Sequence, residues 1–475
     1  MYAGTGDYPA GENGGGILKS TDGGNAWSLI GTSTFAGKRA INKIIVDPTD
    51  ISGNTLYASR ADGIFKSLTA GVTWQSKMNG LGAQVSISDI DFAIERTAEL
   101  VIYAGVSGGP ASARGIWQLI PDADDTWHQM TINLIDHTRQ LRTPDDIGTI
   151  KLSAISVPFG PLAFAAISNT KGDPRFMGGV LMLNVFKFTA RDPTWTPVTN
   201  FPDALTQSGY AQSIGVAPDG TAVYVGWNGA AVSADGGKNW TSIDSTPPPN
   251  PQTFTHSDEH CWAFDQSLAY AGNDGGIWRY DSASGKWQSL NTVGLQTFLT
   301  RGASASPTDL NVLIAAAQDN GENLRQSSGS WLHAVGGGSD GGQVRFDPDP
   351  AKGGKTIYKL DVFGGFYRSD DTGVTFTQID LNIPGAPPGG FEPGSPFAID
   401  PANTSRLLVG SVRIGTDAAL RRLYETSDQG RKPISGELSG GNITAVAYAP
   451  SNDSVIYVAY EDGKVFRTTR EPAVA

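Results

Sequence analysis

Cysteine is almost missing from this chain: among 475 residues there is Cys261 alone. No intramolecular disulfide can form, and cysteine usage marks no redox compartment. Flanked by His260 and Trp262 at the start of an apolar run, Cys261 reads as a buried structural thiol. A Cys–His nucleophile pair is disfavoured, because neighbours on a strand point to opposite faces. Charge is scarce as well, at 17% of residues, and its balance is -12. That balance excludes nucleic acid and an anionic membrane surface as general partners. No apolar run reaches about eighteen residues, so no membrane insertion through a helix is expected. Phosphate-binding loops, dinucleotide fingerprints, HExxH and nucleophile elbows are missing too, and no cofactor is expected. Met1-Tyr2-Ala3-Gly4 carries neither a basic nor an apolar segment and is no signal peptide.

What the chain has in plenty is punctuation, with 60 glycines and 28 prolines. Eleven tryptophans and 14 tyrosines exceed the needs of a core and point to aromatic surface for flat ligands. One octapeptide organises the rest. It runs from Ser20 through Asp22 and Gly24 to Trp27, in the form S-x-D-x-G-x-x-W, and recurs intact at Ser233, Asp235, Gly237 and Trp240. Two further copies differ at one position: Ser67, Gly71 and Trp74 with Thr69 for the aspartate, and Ser369, Asp371 and Gly373 with Phe376 for the tryptophan. A weaker echo spans 426–433. Serine and aspartate side chains can bond the backbone N–H groups of a tight turn, glycine supplies the positive φ, and the aromatic ring opens the next strand and packs on a neighbouring sheet. These are structural residues of a hairpin.

A second phrase is more frequent: a short β-rich run ending in small residues, a Gly/Asp/Asn loop, then another short strand. It occurs in ten copies, among them YAGTG from Tyr2, LYASRADGIFKS from Leu56 and AYAGNDGGIWRY from Ala269. The repeats start near residues 1, 41, 86, 151, 211, 260, 298, 341, 395 and 443, a period of about fifty residues that signals a propeller or array. Each repeat parses as a first strand closed by an Asp-Pro type turn, a second and a third strand, the octapeptide, and a fourth strand opening on the aromatic. The expected class is all-β: a large multi-bladed propeller of four-stranded blades over 1–475. Ten cues fit one ten-bladed ring, seven or eight blades if some cues are degenerate, or two rings. The stretches 122–146, 247–251 and 384–394 read as loop insertions.

The octapeptide resembles the Asp-box, or BNR repeat, of sialidases, xyloglucan-active glycoside hydrolases, sortilin-type receptor propellers and a photosystem assembly factor. Together with HSDEH from His256, YAGNDGG from Tyr270, AAAQDNG from Ala315 and GGGSDGG from Gly336, the chain resembles bacterial glycosyl-hydrolase-like BNR-repeat proteins. The resemblance implies a propeller and a carbohydrate-directed role, with the Asp-boxes on the non-catalytic side. It implies a polysaccharide or oligosaccharide partner and an extracellular or periplasmic setting. Sortilin-type relatives imply the alternative, a non-catalytic propeller that binds a peptide or protein or acts as an assembly scaffold. Sialidase chemistry is not implied: the F/Y-R-I-P signature is missing, and Arg301, Arg325 and Arg345 are scattered along the chain.

Blade topology directs attention to the face opposite the octapeptides. The first–second and third–fourth turns share one face; the second–third loops and the connections between blades share the other. On that second face fall Asp7, Glu12, Trp227, Asn273, Asp274, Gln318, Asp319 and Asn320, and from the connections His256, Asp258, Glu259, His260 and Asp340. Glycosidases need two carboxyls across the scissile bond, and Asp258, Asp274, Asp319 and Asp340 are the candidates. His256, Glu259, His260, Trp227, Asn273, Gln318 and Asn320 are the candidate ligand-binding residues, with an exposed Trp227 stacking on sugar. If 256–260 is extended, His256, Asp258 and His260 point the same way. That trio fits a hydrogen-bond network pinning the strand, a ligand site, or a divalent metal.

Overall fold

The computed structural model describes residues 1–6, 13–82, 84–172, 180–202, 210–243, 255–265, 268–291, 299–332, 340–361, 365–379, 395–410, 423–427, 430–433 and 442–469. Asp7, Glu12, Asp428, the insertions at 247–251 and 384–394, and 336–339 of the glycine run lie outside the described residues. The chain forms two compact units, Met1–Leu295 and Gln296–Ala475.

Both units are built of antiparallel meanders whose strands pair in chain order. In the first unit a three-stranded sheet (Tyr2–Gly4, Ile17–Lys19, Ser28–Ile30) precedes four-stranded sheets spanning 41–76, 86–129, 147–197, 213–242 and 259–289. In the second unit four-stranded sheets span 300–332, 343–378 and 397–433, and a three-stranded sheet spans 443–469. An all-β architecture of repeated four-stranded antiparallel sheets follows from the alternation of β-branched and small residues between turn signals.

The core is a series of layers between successive sheets rather than one central mass. Tyr103, Ile150, Phe186 and Trp195 fill the layer between the 86–129 and 147–197 sheets, while Phe164, Val216, Val225 and Trp227 fill the next. The recurrent glycine of the second strand has a packing cause. A Cβ on Gly4, Gly105, Gly226 or Gly410 would meet Ile41, Ile150, Glu259 or Ile443 of the following sheet's first strand at 2.4–2.7 Å. Only a hydrogen lets the next first strand approach that closely.

Each first strand is an edge of its own sheet, with backbone groups no ladder satisfies. Short polar side chains from the preceding first strand fill this need. Ser88 accepts from Ile150 N at 3.1 Å, Asp89 from Leu152 N at 2.9 Å and Asp91 from Ala154 N at 2.9 Å. Ser153 serves Val216 N, and in the second unit Ser304 serves Phe346 N. These stitches tie consecutive sheets without continuing a β-ladder.

The outermost strands consume most of the tryptophans. Trp27, Trp74, Trp127, Trp195, Trp240, Trp287 and Trp331 each open or lie in one, as Phe376 does in the 343–378 sheet. Seven of the eleven tryptophans thus sit in or beside outer strands, five of them buried or half-buried, with Trp27 and Trp331 41% exposed. In two octapeptide sheets the indole closes its own turn: Trp27 donates to Gly24 O and Trp74 to Gly71 O, at 2.9 and 2.8 Å. In two sheets without the octapeptide it reaches back to the residue after the preceding outer strand. Trp127 donates to Lys77 O and Trp287 to Ile243 O, at 2.9 and 2.7 Å. The 122–146 stretch therefore is not wholly an insertion: it contains the outer strand His128–Gln129, and Trp127 is 2% exposed.

Candidate functional site

The octapeptide serines and aspartates are consumed by their own turns. Ser20, Ser67, Ser233 and Ser369 accept through Oγ from the backbone N of Gly24, Gly71, Gly237 and Gly373 at 2.8–3.0 Å. Those glycines have φ between 84 and 97°, where a side chain would be strained. The carboxylates of Asp22, Asp235 and Asp371 accept from the serine hydroxyl at 2.8 Å and from the N–H of Ala26, Asn239 and Thr375 at 2.9 Å. Hydrogen bonds to the ionised form hold all three below the usual carboxylate range; for Asp371, at about 2, the Thr375 hydroxyl is the largest cause. Thr69 substitutes its hydroxyl, accepting from Thr73 N at 2.9 Å. Trp74, Trp240 and Phe376 are half-buried against neighbours. Trp27 differs from the expected packing: it is 41% exposed and held by its bond to Gly24.

The opposite end of the 259–289 sheet is where carboxyls remain available. The approach segment and the second–third loop are fastened to each other first. Asn273 donates to Thr255 Oγ1 at 2.7 Å and to His256 O at 3.1 Å, and its Oδ1 accepts from Gly275 N at 3.1 Å. Asn291 donates to Gly275 O and accepts from Ile277 N, at 2.7 and 2.9 Å. Gly275 lies so close beneath His256 that a Cβ would meet its ring and Cβ at 2.4–2.8 Å. This frame is rigid, as a binding or catalytic loop requires.

On the frame sit Asp258, His260 and Asp274. Asp258 is 9% exposed and has a φ of 66°, a left-handed conformation that aspartate tolerates. Its Oδ1 finds no hydrogen-bond partner. Burial pushes its carboxyl up, the charge of Asp274 pushes it further, and His260 and His256 oppose the rise. His260 Nε2 donates to Asp274 Oδ1 at 2.7 Å. One buried carboxyl favours its proton, and beside it a second accepts a hydrogen bond from an imidazole. That asymmetry is what acid/base chemistry with two carboxyls needs.

Several expectations are corrected here. The left-handed Asp258 breaks the strand alternation, so His256, Asp258 and His260 do not form one stripe. Among the described residues no group of three or more His, Cys, Asp or Glu is placed to hold a metal ion. Glu259 is not at a ligand-facing surface: it is fully buried against Gly226, accepts from Thr255 at 3.2 Å, and is pushed up to about 9 by burial. Trp227 is no exposed platform, since it is 5% exposed and packs edge-on against Phe201. Cys261 is exposed rather than buried, because alternate residues of this first strand face away from the neighbouring sheets.

Asp319 and Asp340, both in the second unit, meet each other rather than a cleft-facing partner. Asp340 Oδ1 accepts from Asp319 N at 2.9 Å, where Asp319 has a φ of 59°. Asn320 donates to Gln318 O at 3.1 Å, and Gln318 accepts from Arg301 at 2.5 Å. Gly341 N also donates to Ala317 O, tying the same turn to the next sheet's approach. Sequence reasoning missed Tyr210, Thr255 and Asn291. Nothing in their sequence neighbourhood marks them; they join the site through pairing between segments far apart in the chain.

The repeated four-stranded sheets and the carboxyl pair define a class, an all-β sheet-repeat protein with a candidate acid/base site on one sheet's loop end. No family model matches the sequence, and no curated protein does. Among solved structures, the chain is similar to an ancestral GH74 enzyme with a TM-score of 0.61 and 15% identity, covering 99% of this chain and 70% of that one. It also matches a Niastella koreensis GH74 enzyme at 0.45 and 19%, covering 96% and 72%, and a Xanthomonas campestris GH74 xyloglucanase at 0.33 and 13%, covering 97% and 74%. At these identities the likeness is one of fold.

Proposed function

We propose that the chain is a carbohydrate-directed β-propeller of the Asp-box type, each sheet a blade, and that it hydrolyses glycosidic bonds with Asp258 and Asp274. The observation that carries this reading is the buried Asp258 carboxyl, with one oxygen unpartnered, raised first by burial and then by the charge of Asp274 on the adjoining loop. Asp258 is the general acid that protonates the leaving oxygen. Asp274, accepting from His260, is the partner that activates water or attacks the sugar. The fold likeness to a GH74 enzyme supports a glycoside-hydrolase scaffold. First strands of consecutive sheets pack on one another within each unit, as blades around an axis do. A polymeric substrate fits an extracellular or periplasmic setting.

The test is a panel of neutral polysaccharides incubated with the unmutated protein, D258N, D274N and D340A, with reducing ends counted. Product from the unmutated protein and D340A, and a loss of about 10²–10⁴-fold in the other two with folding intact, supports the reading. Retention of a polymer without cleavage makes the chain a binding module. If no polymer is cut or retained, a peptide- or protein-binding propeller takes its place.

A further inference from the structure

The first strands share a device that the sequence does not advertise. Near its start each of several carries a β-bulge, one extra residue left out of the ladder. In the 41–76 sheet the pairing jumps from Ile41 to Lys43, leaving Asn42; in the 86–129 sheet it jumps from Ile87 to Asp89, leaving Ser88. Both extra residues stitch to the following sheet, Asn42 by donating to Ile87 O and Ser88 by donating to Ile150 O. In the 259–289 sheet the pairing jumps from Glu259 to Cys261, and the extra residue is His260. It does not stitch forward. It turns to the second–third loop of its own sheet and meets Asp274. Bulges re-aim side chains, and here the re-aimed group is titratable and lies against the carboxyl pair.

Tyr210 completes the arrangement. Its ring stands edge-on to the His260 imidazole, with centroids 5.2 Å apart and planes at 87°, and it is 45% exposed. With the bond to Asp274 on one side and the Tyr210 ring on the other, the imidazole is fixed in orientation.

We propose that His260, aimed by the bulge and braced by Tyr210, is a positioning residue that holds the Asp274 carboxyl in place beside Asp258. The proposal rests on the hydrolase reading for its catalytic consequence, but its electrostatic core does not. Among the described residues, the titratable groups around the Asp258–Asp274 pair are His256, Glu259 and His260 from the approach strand and Tyr210. His260 is one of the influences that lower Asp258, so replacing it has a defined sign.

The experiment uses the full chain with carboxyl-13C aspartate, and the Asp258 resonance is assigned by its loss in D258N. In H260Q, which keeps a donor but no charge, the Asp258 titration moves upward; an unmoved midpoint overturns the proposal. In parallel, kcat and KM are measured on whichever polysaccharide the unmutated protein cleaves. H260A lowers kcat about ten- to a hundredfold with KM little changed. H260Q recovers most of the rate, with the alkaline limb of its pH–rate profile displaced upward. Y210A moves kcat in the same direction, and Y210F does not. Equal loss in H260A and H260Q with an unshifted profile overturns the proposal. If the unmutated protein cleaves nothing, the hydrolase reading fails alone, and the titration still decides the role of His260.

Discussion

Two loops carry nearly the same phrase, Asn273-Asp274-Gly275-Gly276 in one unit and Gln318-Asp319-Asn320-Gly321 in the other, and are met by different side chains. In both sheets the first strand has a bulge, with His260 extra in one and Arg301 in the other. In both, the extra residue turns to its own loop. His260 meets the carboxylate of Asp274, whereas Arg301 meets the neutral amide of Gln318. Nearby acids diverge in the same way. Asp340 is occupied by a backbone N–H, while Asp258 keeps an oxygen without a partner. A shared backbone device thus brings an imidazole to a carboxylate in one unit and a guanidinium to a neutral amide in the other. The chemistry follows from which residue types the bulge and the loop bring together.

The largest effect that can break this contrast is catalytic. D258N and D274N abolish polysaccharide cleavage while D340A leaves it; equal losses in all three would erase the distinction. The next is thermodynamic. Glu259 holds its proton to about 9 in the folded chain, against a reference value of 4.5, because it is buried. Between those values the folded state binds more protons than the unfolded one, so stability falls as pH rises through that window. E259Q removes the linkage. Its unfolding midpoint matches the unmutated protein near pH 4 and exceeds it at pH 8, by on the order of a few kcal/mol in stability. Parallel pH curves for the two proteins would show that Glu259 is not held neutral.

Legibility follows the same divide. Local rules wrote the sheets: Ser233, Asp235, Gly237 and Trp240 make a turn within eight residues, and the second-strand phrase alternates as a strand must. They also placed attention on Asp258 and Asp274, through polar residues that no turn explained. What stayed hidden depends on contacts between distant segments. The bulge at His260 arises from register with 272–273, Tyr210 arrives from the preceding sheet's approach, and Trp127 reaches across 50 residues to Lys77. Glu259 and Trp227 were misread because loop membership was taken as exposure. Both lie where the next first strand presses on Gly226, a contact no single-strand pattern encodes.

Stability gives the contrast an opposite sign in the two units. D340A leaves Asp319 N without its acceptor and lowers stability by about 1–3 kcal/mol. D258N removes a carboxyl that burial and a neighbouring charge disfavour, so above the pH at which Asp258 ionises it is neutral or stabilising. Urea midpoints of the two variants against the unmutated protein check the signs. A site kept for chemistry gains stability when dismantled, and a structural contact loses it. Should D258N destabilise as much as D340A, Asp258 would be as structural as its counterpart.

The smallest effect belongs to the turn end of the sheets, where every described octapeptide aspartate is consumed. Thr69 accepts from Thr73 N with a hydroxyl where Asp22, Asp235 and Asp371 use a carboxylate. T69D restores the charge-assisted bond at an exposed turn, where gains stay within about 0.5 kcal/mol. It therefore raises the urea midpoint slightly and leaves any polysaccharide activity unchanged. A change in cleavage rate from this variant would couple the two ends of the sheets. The antiparallel meander between them, whose strands pair in chain order, gives no route for such coupling.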